Sequence, residues 1–397
     1  MNKKDREKLE ELSKKINETY VYIKSLAKFY CPKYKKFFKA NEVATNMLIT
    51  YKDLILLRKG QIIKTYDELC YYRGGKKGCY NLLDESKILI PSENPILDPN
   101  IKKLIDNVCG YKKDNIEYLH KLILFKYTHL NEFNIPAVVL YGVGGSGKGT
   151  IINLFGTMLG KENVWENLGQ ENLNSSFSVY KGEQFIVEFA EITRNSINQD
   201  MRILNKLKNL VLSPTHTVNL KGINHYKIDN VALFFISSNS NTPIQLDSKE
   251  KGNRRFTIIK SLSALSTQEG NDINKTIKDK KSVQNYLCWL MINFPEMIKT
   301  EKIDVLDNQD KKDLEEKSQS DANQFWEWFE EKYPDKKGKI LIQDLNKEIN
   351  NYLVNELDYE YFERNNFKRF FWKTSRYEKK KMRFKDINNS RWGVEIK

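Results

Sequence analysis

The chain has 397 residues, of which 40% are hydrophobic and 30% charged, with a formal net charge of +14. That length allows two or three ordinary domains, and the apolar content is enough to build cores, which excludes a disordered chain. No apolar stretch of about 18 residues exists and the charged N-terminus, MNKKDREKLEELSKK, lacks an apolar h-region, so neither a transmembrane helix nor a secretory signal is expected.

Residues 1–38 place Leu9, Leu12, Ile16, Tyr20, Ile23 and Leu26 at helical spacing, predicting one or two amphipathic helices. Residues 50–92 carry short β-type runs cut by Lys59-Gly60 and Gly74-Gly75, predicting small strands and hairpins. IPSENPILDPN, with three prolines, reads as a linker. From Asn100 to Leu130 helical spacing returns. From Pro136 to about Leu262 strand-like and helical runs alternate, which predicts an α/β domain. The polar, acidic stretch EKIDVLDNQDKKDLEEKSQSDANQ marks a further boundary. Beyond it, NQFWEWFEEKY, KILIQDLNKEINNYLVNEL and YEYFERNNFKRFFWKTS predict three small helices. YEKKKMRFKDINNSRWGVEIK then alternates like a hairpin, completing a winged-helix outline. The predicted organisation is 1–95, a mixed α+β N-terminal region; 96–300, the α/β domain; 301–322, a linker; and 323–397, the winged-helix-like domain.

Cysteine usage and charge placement add to this. Cys31, Cys70, Cys79, Cys109 and Cys288 are scattered, odd in number and form no CxxC pair, and the four histidines are not close in sequence. A reduced, cytoplasmic protein without a structural metal is the simple expectation. Residues 360–397 hold twelve Lys/Arg against five Asp/Glu, a net of +7, half of the whole excess. A local basic excess interleaved with aromatics favours a polyanion such as nucleic acid.

The stretch from Gly142 to Lys148, GVGGSGK, fits the GxxxxGK pattern of a P-loop NTPase. AVVLY before it reads as a buried strand and TIINLFGTML after it as a helix. The backbone N–H groups of Gly142, Gly144, Gly145, Ser146, Gly147, Lys148, Gly149 and Thr150 therefore sit at a helix N-terminus, where they can cradle the phosphates of ATP. Lys148 reaches the β/γ-phosphates. Gly149 stands where a Ser or Thr hydroxyl usually binds Mg²⁺. Either Thr150, one position later, takes over part of that role, or Mg²⁺ is held mainly by water and acidic residues.

Four downstream features extend the pattern. EQFIVEFAEIT is a strand with Glu191 at its end, where a catalytic and metal-side acid is expected; Glu188 is a second metal-side acid or an outward charge. NVALFFISSN is a buried strand ending at Asn239, placed to bond a γ-phosphate or the attacking water, with Asn241 as competitor. KGNRRF places Arg254 and Arg255 before another strand, suited to neutralising charge at a neighbouring subunit's ATP. TVNLKGINHYKI reads as a hairpin with Lys221 and His225 at its turn, suited to phosphate-backbone contact.

Taken in order, GVGGSGKGT, FIVEFAEI, TVNLKGINHYKI, FFISSN and NRRF resemble the superfamily-3 helicases, AAA+-related ring motors of viruses, phages and mobile elements. The branch resembled is the phage- and plasmid-type primase-helicases. The resemblance implies an AAA+-like core, a hexameric ATPase, ATP and Mg²⁺ as ligands, and a role in DNA replication. It makes Glu191 the motif B acid, Asn239 the sensor and Arg254 or Arg255 the finger, with Lys221 and His225 tracking single-stranded DNA. The basic tail (Arg364, Lys368, Arg369, Lys373) would help load duplex or origin DNA. No primase active site is evident. Two rivals stand beside this reading. GKGT also suits a nucleotide or small-molecule kinase, although no Arg-rich lid follows the P-loop helix. The tail also suits a non-motor initiator that uses ATP only to oligomerise.

Overall fold

The computed structural model describes all residues except 1–2, 60–62, 170–182, 191–206, 212, 219–225, 242, 245, 247–254, 318–320, 335–337, 356–379, 383–390 and 397. It packs as two units, the first built from residues 1–192, 206–239 and 255–306.

The chain opens with helix α1 (Lys3–Thr19), followed by strands β1 (Val21–Ile23), β2 (Lys28–Cys31) and β3 (Lys36–Phe38). Helical spacing holds only as far as Ile16. The next run, YVYI, is aromatic and β-branched and becomes a strand covered on both faces. Val21 and Ile23 enter the main core, whereas Tyr20 and Tyr22 enter a smaller one with Phe29, Leu54 and Leu57. Helices α2 (Ala40–Asn46) and α3 (Tyr51–Lys59) cover that smaller core. The predicted strand DLILL is thus helical: Leu54 and Leu57 face inward three residues apart, and Thr50 Oγ1 accepts the Asp53 N–H at 3.1 Å. A short apolar run does not separate helix from strand by periodicity. Strand β4 (Thr65–Tyr66) completes the sheet in the order β3-β2-β1-β4, and β5 (Glu68–Cys70) pairs in parallel with β6 (Cys79–Asn81).

Helices α4 (Pro99–Val108) and α5 (Lys113–Thr128) lead into the central sheet. Asp98 caps α4, accepting the Asn100 N–H, with Pro99 in the first turn. Strands β7 (Ala137–Gly142), β8 (Val164–Leu168), β9 (Ile186–Ala190), β12 (Leu233–Ser238) and β13 (Phe256–Ser261) form one parallel sheet in the order β13-β7-β12-β9-β8. β7 and β12 are buried at every position, which is why they read as continuous apolar runs rather than alternating ones. Helix α6 (Lys148–Leu159) follows β7, and a hairpin of β10 (Thr215–Val218) and β11 (Tyr226–Asp229) precedes β12. Helices α7 (Thr267–Lys278), α8 (Lys280–Asn293) and α9 (Glu296–Lys299) follow β13.

Residue 95 is no packing boundary. Val21, Leu26, Tyr71 and Leu83 share one core with Leu122, Val138 and Phe155, and Tyr71 donates to Asn163 Oδ1 at 2.6 Å. Buried Lys126 fastens the end of α5, donating to the carbonyls of Leu130 at 3.0 Å and Val231 at 2.6 Å.

The second unit includes residues 307–397. The expected linker contains a helix, α10 (Gln309–Lys317). Helix α11 (Asp321–Lys332), strand β14 (Gly338–Leu341), helix α12 (Ile342–Asn355), and strands β15 (Lys380–Met382) and β16 (Arg391–Ile396) follow, with an antiparallel sheet in the order β14-β16-β15. Phe325, Trp326 and Phe329 pack with Leu345, Ile349, Tyr352 and Val394. The helix expected over YEYFERNNFKRFFWKTS lies outside the described residues. Among the described residues no helix is long and apolar enough to cross a membrane.

His120, on α5, is buried with Nδ1 2.7 Å from the Tyr286 hydroxyl, and burial pushes the imidazole down to about 4. The folded state therefore holds it neutral while the unfolded chain charges it near pH 6.5. Its contribution is fully present above pH 6.5 and is lost as pH falls towards 4, at up to about 1.4 kcal/mol per pH unit. Urea midpoints measured at pH 7 and pH 4.5 should fall more steeply for the wild type than for His120→Gln. Equal falls contradict the assignment.

Candidate functional site

The site begins where β7 ends. Gly142 has φ +114°, and a Cβ there would lie 2.2 Å from the Ser261 carbonyl oxygen on β13. Gly147, the N-cap of α6, has φ +95°, and its Cβ would lie 2.7 Å from Leu104 Cδ1. Both positions exclude a side chain by conformation and by space. Gly149 differs: it lies in the first turn of α6 with nothing within 4 Å of a built Cβ.

Polar side chains hold the turn in shape. Ser146, buried, donates to Ser261 Oγ at 2.9 Å, and Ser261 Oγ donates to the Tyr141 carbonyl at 3.1 Å. Asn107 on α4 donates to the carbonyls of Ser146 at 2.9 Å and Ser263 at 3.1 Å. The Leu265 N–H donates to the Gly145 carbonyl at 3.0 Å. Lys148 is buried and folded over the turn, with Nζ 2.7 Å from the Val143 carbonyl and 3.2 Å from Ser146 Oγ. Burial lowers its pKa from the ordinary lysine value.

A cavity of about 1040 Å³ opens over the turn. Its floor runs from Gly145 to Thr150. One wall is the C-terminal ends of β9 and β12: Glu188, Ala190, Ser237, Ser238 and Asn239. Glu188 is buried and accepts a hydrogen bond from Ser237 Oγ at 2.5 Å. A Cβ on Gly144 would lie 3.7 Å from Asn239 Oδ1, so that amide stands beside the turn. The opposite wall is α7, whose Thr267, Gly270, Asn271 and Asn274 follow helical spacing and face the cavity. Ser266 caps α7 in a reciprocal box with Glu269, and Glu269 ion-pairs with Lys103 on α4. Lys103 and the Ser266 hydrogen bonds hold the Glu269 carboxyl down at about 2. Asn100 Nδ2 donates to Thr276 Oγ1 at 2.9 Å, fixing α7 a second time.

The cavity brings together Gly145, Ser146, Gly147, Lys148, Gly149, Thr150 and Asn239. Arg255 is not in it. The Arg255 carbonyl accepts the Ala137 N–H at the opposite end of β7, roughly 20 Å along the strand from the turn. Glu191, Arg254, Lys221, His225, Arg364, Lys368, Arg369 and Lys373 lie outside the described residues. Glu188, weighed in the sequence between metal-side acid and outward charge, lines the cavity and does not face outward. Sequence reasoning missed Asn107, Ser261 and the α7 wall. Asn107 left a signal: it sits three residues after Leu104, in register with the apolar face of α4, where a buried amide calls for partners. Asn271 and Asn274 read as ordinary surface amides until α7 is placed.

Residues 140–255 match a family described as a family of unknown function, DUF5906. The DNA primase-polymerase of Nitratiruptor phage NrS-1 is 27% identical over 169 residues, which is 43% of this chain and 23% of that protein. The chain is homologous to a phage DNA primase-polymerase. The match spans about a quarter of the relative's length. Among solved structures, the apo C-terminal region of NrS-1 superposes with a TM-score of 0.60 at 16% identity, covering 97% of this chain and 98% of that one. An A form of the same region gives 0.59, also at 16% identity, with coverages of 97% and 99%. At that identity the likeness is one of fold.

Two glycine substitutions should separate. Gly142→Ala should lower the melting temperature by several degrees, because the new methyl meets backbone. Gly149→Ala should raise stability by about 0.5–1 kcal/mol, as expected for Gly to Ala in an unobstructed helical turn. Thermal melting of both variants checks this, and equal effects contradict the geometry.

Proposed function

We propose that this protein is an ATP-dependent DNA helicase or translocase, with a P-loop NTPase core of the AAA+ type, acting as a hexameric ring in replication of a phage or mobile element. The observation that carries the reading is the joining, in one cavity, of a glycine-shaped turn at a helix N-terminus, a buried lysine, a buried carboxylate and a strand-end asparagine. The homology to a phage primase-polymerase supports the replication setting.

The sheet order supports one direction for the nucleotide. β7 lies between β12 and β13, so the turn has the Glu188–Asn239 wall on one side and α7 on the other. The triphosphate tail belongs with the acid and the amide, and the nucleoside with the α7 face. The N–H groups of the turn and the Lys148 ammonium would bind phosphate oxygens. A bound anion restores to Lys148 the proton affinity that burial removes. Glu188, fixed by Ser237, holds a carboxylate ready to accept a proton from water. Asn239 orients the water or the terminal phosphate, and Glu191, next in the chain after Ala190, is the further acid. Mg²⁺ typically keeps several waters and takes one or two protein oxygens beside substrate phosphates. The Thr150 hydroxyl and the Glu188 carboxylate are such oxygens, so the donor set fits; the ion would offset phosphate charge. Arg255, remote from its own cavity, suits action on a neighbouring subunit's site, together with Arg254. Lys221 and His225 would contact single-stranded DNA, and the basic tail duplex or origin DNA.

ATP hydrolysis and strand displacement on forked DNA test the proposal together. Lys148→Ala should lose both by a hundredfold or more, and Glu188→Gln should bind ATP yet hydrolyse it at least a hundredfold more slowly. Hydrolysis that survives Lys148→Ala, or displacement that needs no ATP, contradicts it. DNA-independent phosphate transfer to a small acceptor would favour the kinase.

A further inference from the structure

The turn between β2 and β3 is basic, aromatic and exposed. From Lys24 to Ala40 the sequence KSLAKFYCPKYKKFFKA carries six lysines and no acidic residue. Lys24 is paired with Asp67 at 2.8 Å. Lys33, Lys35 and Lys36 are exposed and form no ion pair among the described residues, although the Lys35 charge is near enough to help lower the Asp84 carboxyl. Tyr34 is 58% exposed, with Lys33 Nζ 5.5 Å from its ring centroid.

The backbone fixes the turn. Lys35 has φ +50°, and its N–H donates to the Pro32 carbonyl at 3.3 Å, closing a tight turn. Glycine or asparagine takes that left-handed conformation at lower steric cost. Ala27 takes the same φ of +50° in the preceding β1–β2 turn, with its N–H on the Lys24 carbonyl at 3.1 Å, so the conformation sets the shape of these hairpins and presents the lysines on the outer one.

The turn also has a position. Next to Lys36 on β3, Phe37 packs its ring 6.3 Å from that of Tyr226. Tyr226 opens β11, immediately after the segment that contains Lys221 and His225. The basic turn is thus attached to the stem of the hairpin that the proposed function assigns to DNA, through contacts inside one packed unit.

We infer that the Pro32–Lys36 turn is a binding site for single-stranded nucleic acid. Lys33, Lys35 and Lys36 meet successive phosphates, and Tyr34 offers its face to an unstacked base. Cations interleaved with an exposed aromatic suit a single strand, because every base has a π-face and only an unpaired strand presents it. Duplex offers phosphates and base edges but no unstacked base face for the tyrosine, and a lipid surface calls for larger apolar anchors than one tyrosine. Its position rests on the proposed assignment of the hairpin to DNA, but binding at the turn needs no ATP, so failure of the ATPase test and failure of this one are distinguishable.

Fluorescence anisotropy of the full chain with labelled oligothymidylate, without nucleotide, tests it. The Lys33→Glu/Lys36→Glu pair should weaken binding roughly tenfold or more and reduce the salt slope by about 0.7 per lysine. Tyr34→Ala should weaken it roughly fivefold. Lys35→Gly should raise the melting temperature while weakening binding, which separates the site from the fold. Lys280→Glu/Lys281→Glu, the same charge change at the exposed start of α8, should leave affinity unchanged. Unchanged affinity in the turn variants, an equal loss in the α8 pair, or a loss confined to duplex DNA or phosphatidylserine vesicles overturns the proposal.

Discussion

At the end of β7, Gly142 approaches the Ser261 carbonyl so closely that no side chain fits between them. That contact presses β7 against β13 and sends the chain into the turn above the sheet. The serine pair then locks what the glycine permits: Ser146 bonds Ser261, and Ser261 bonds the Tyr141 carbonyl. Loosening any of these moves the floor of the cavity, because the turn's direction is set by the Gly142 backbone contact and held by the serine side-chain bonds.

The walls depend on the same sheet. Glu188 and Asn239 stand on β9 and at the end of β12, whose register pairs Phe235 with Glu188 and Ser237 with Ala190. A shift of one residue would turn Glu188 away from the cavity. Lys126 contributes to that register by holding the Val231 carbonyl just before β12. A fully buried lysine is costly to place; here backbone carbonyls hold the ammonium and the Glu132 charge partly offsets its burial. On the other side, α7 is fixed to α4 at both the Glu269 and the Thr276 positions. The cavity is therefore framed by rigid elements on both sides, as a site that must hold a ligand in one orientation requires.

The shape of the turn was legible because strand, glycines, lysine and helix are contiguous, and each has a sequence signature. Asn239 was legible for the same reason: a buried strand ending in an amide. The α7 wall was not, since Thr267, Gly270, Asn271 and Asn274 become neighbours of the turn only when β13 lies beside β7. Asn107 required knowing which face of α4 is inside. In the N-terminal region, the unbroken apolar run Leu54–Leu57 fits a buried strand as well as a helix, and YVYI reads as part of the preceding helix because Tyr20 and Ile23 continue its spacing. The boundary at residue 95 has no counterpart in the packing because no sequence signal shows that Tyr71 reaches Asn163.

If the turn over α6 holds a nucleoside triphosphate, its lysine must matter to binding before any motor step. Calorimetric titration of ATP in the presence of Mg²⁺ into the wild type and Lys148→Ala tests this most directly. The account predicts saturable one-site binding by the wild type and at least tenfold weaker binding by Lys148→Ala with an unchanged melting temperature. Equal affinities, or no binding by the wild type, would contradict it.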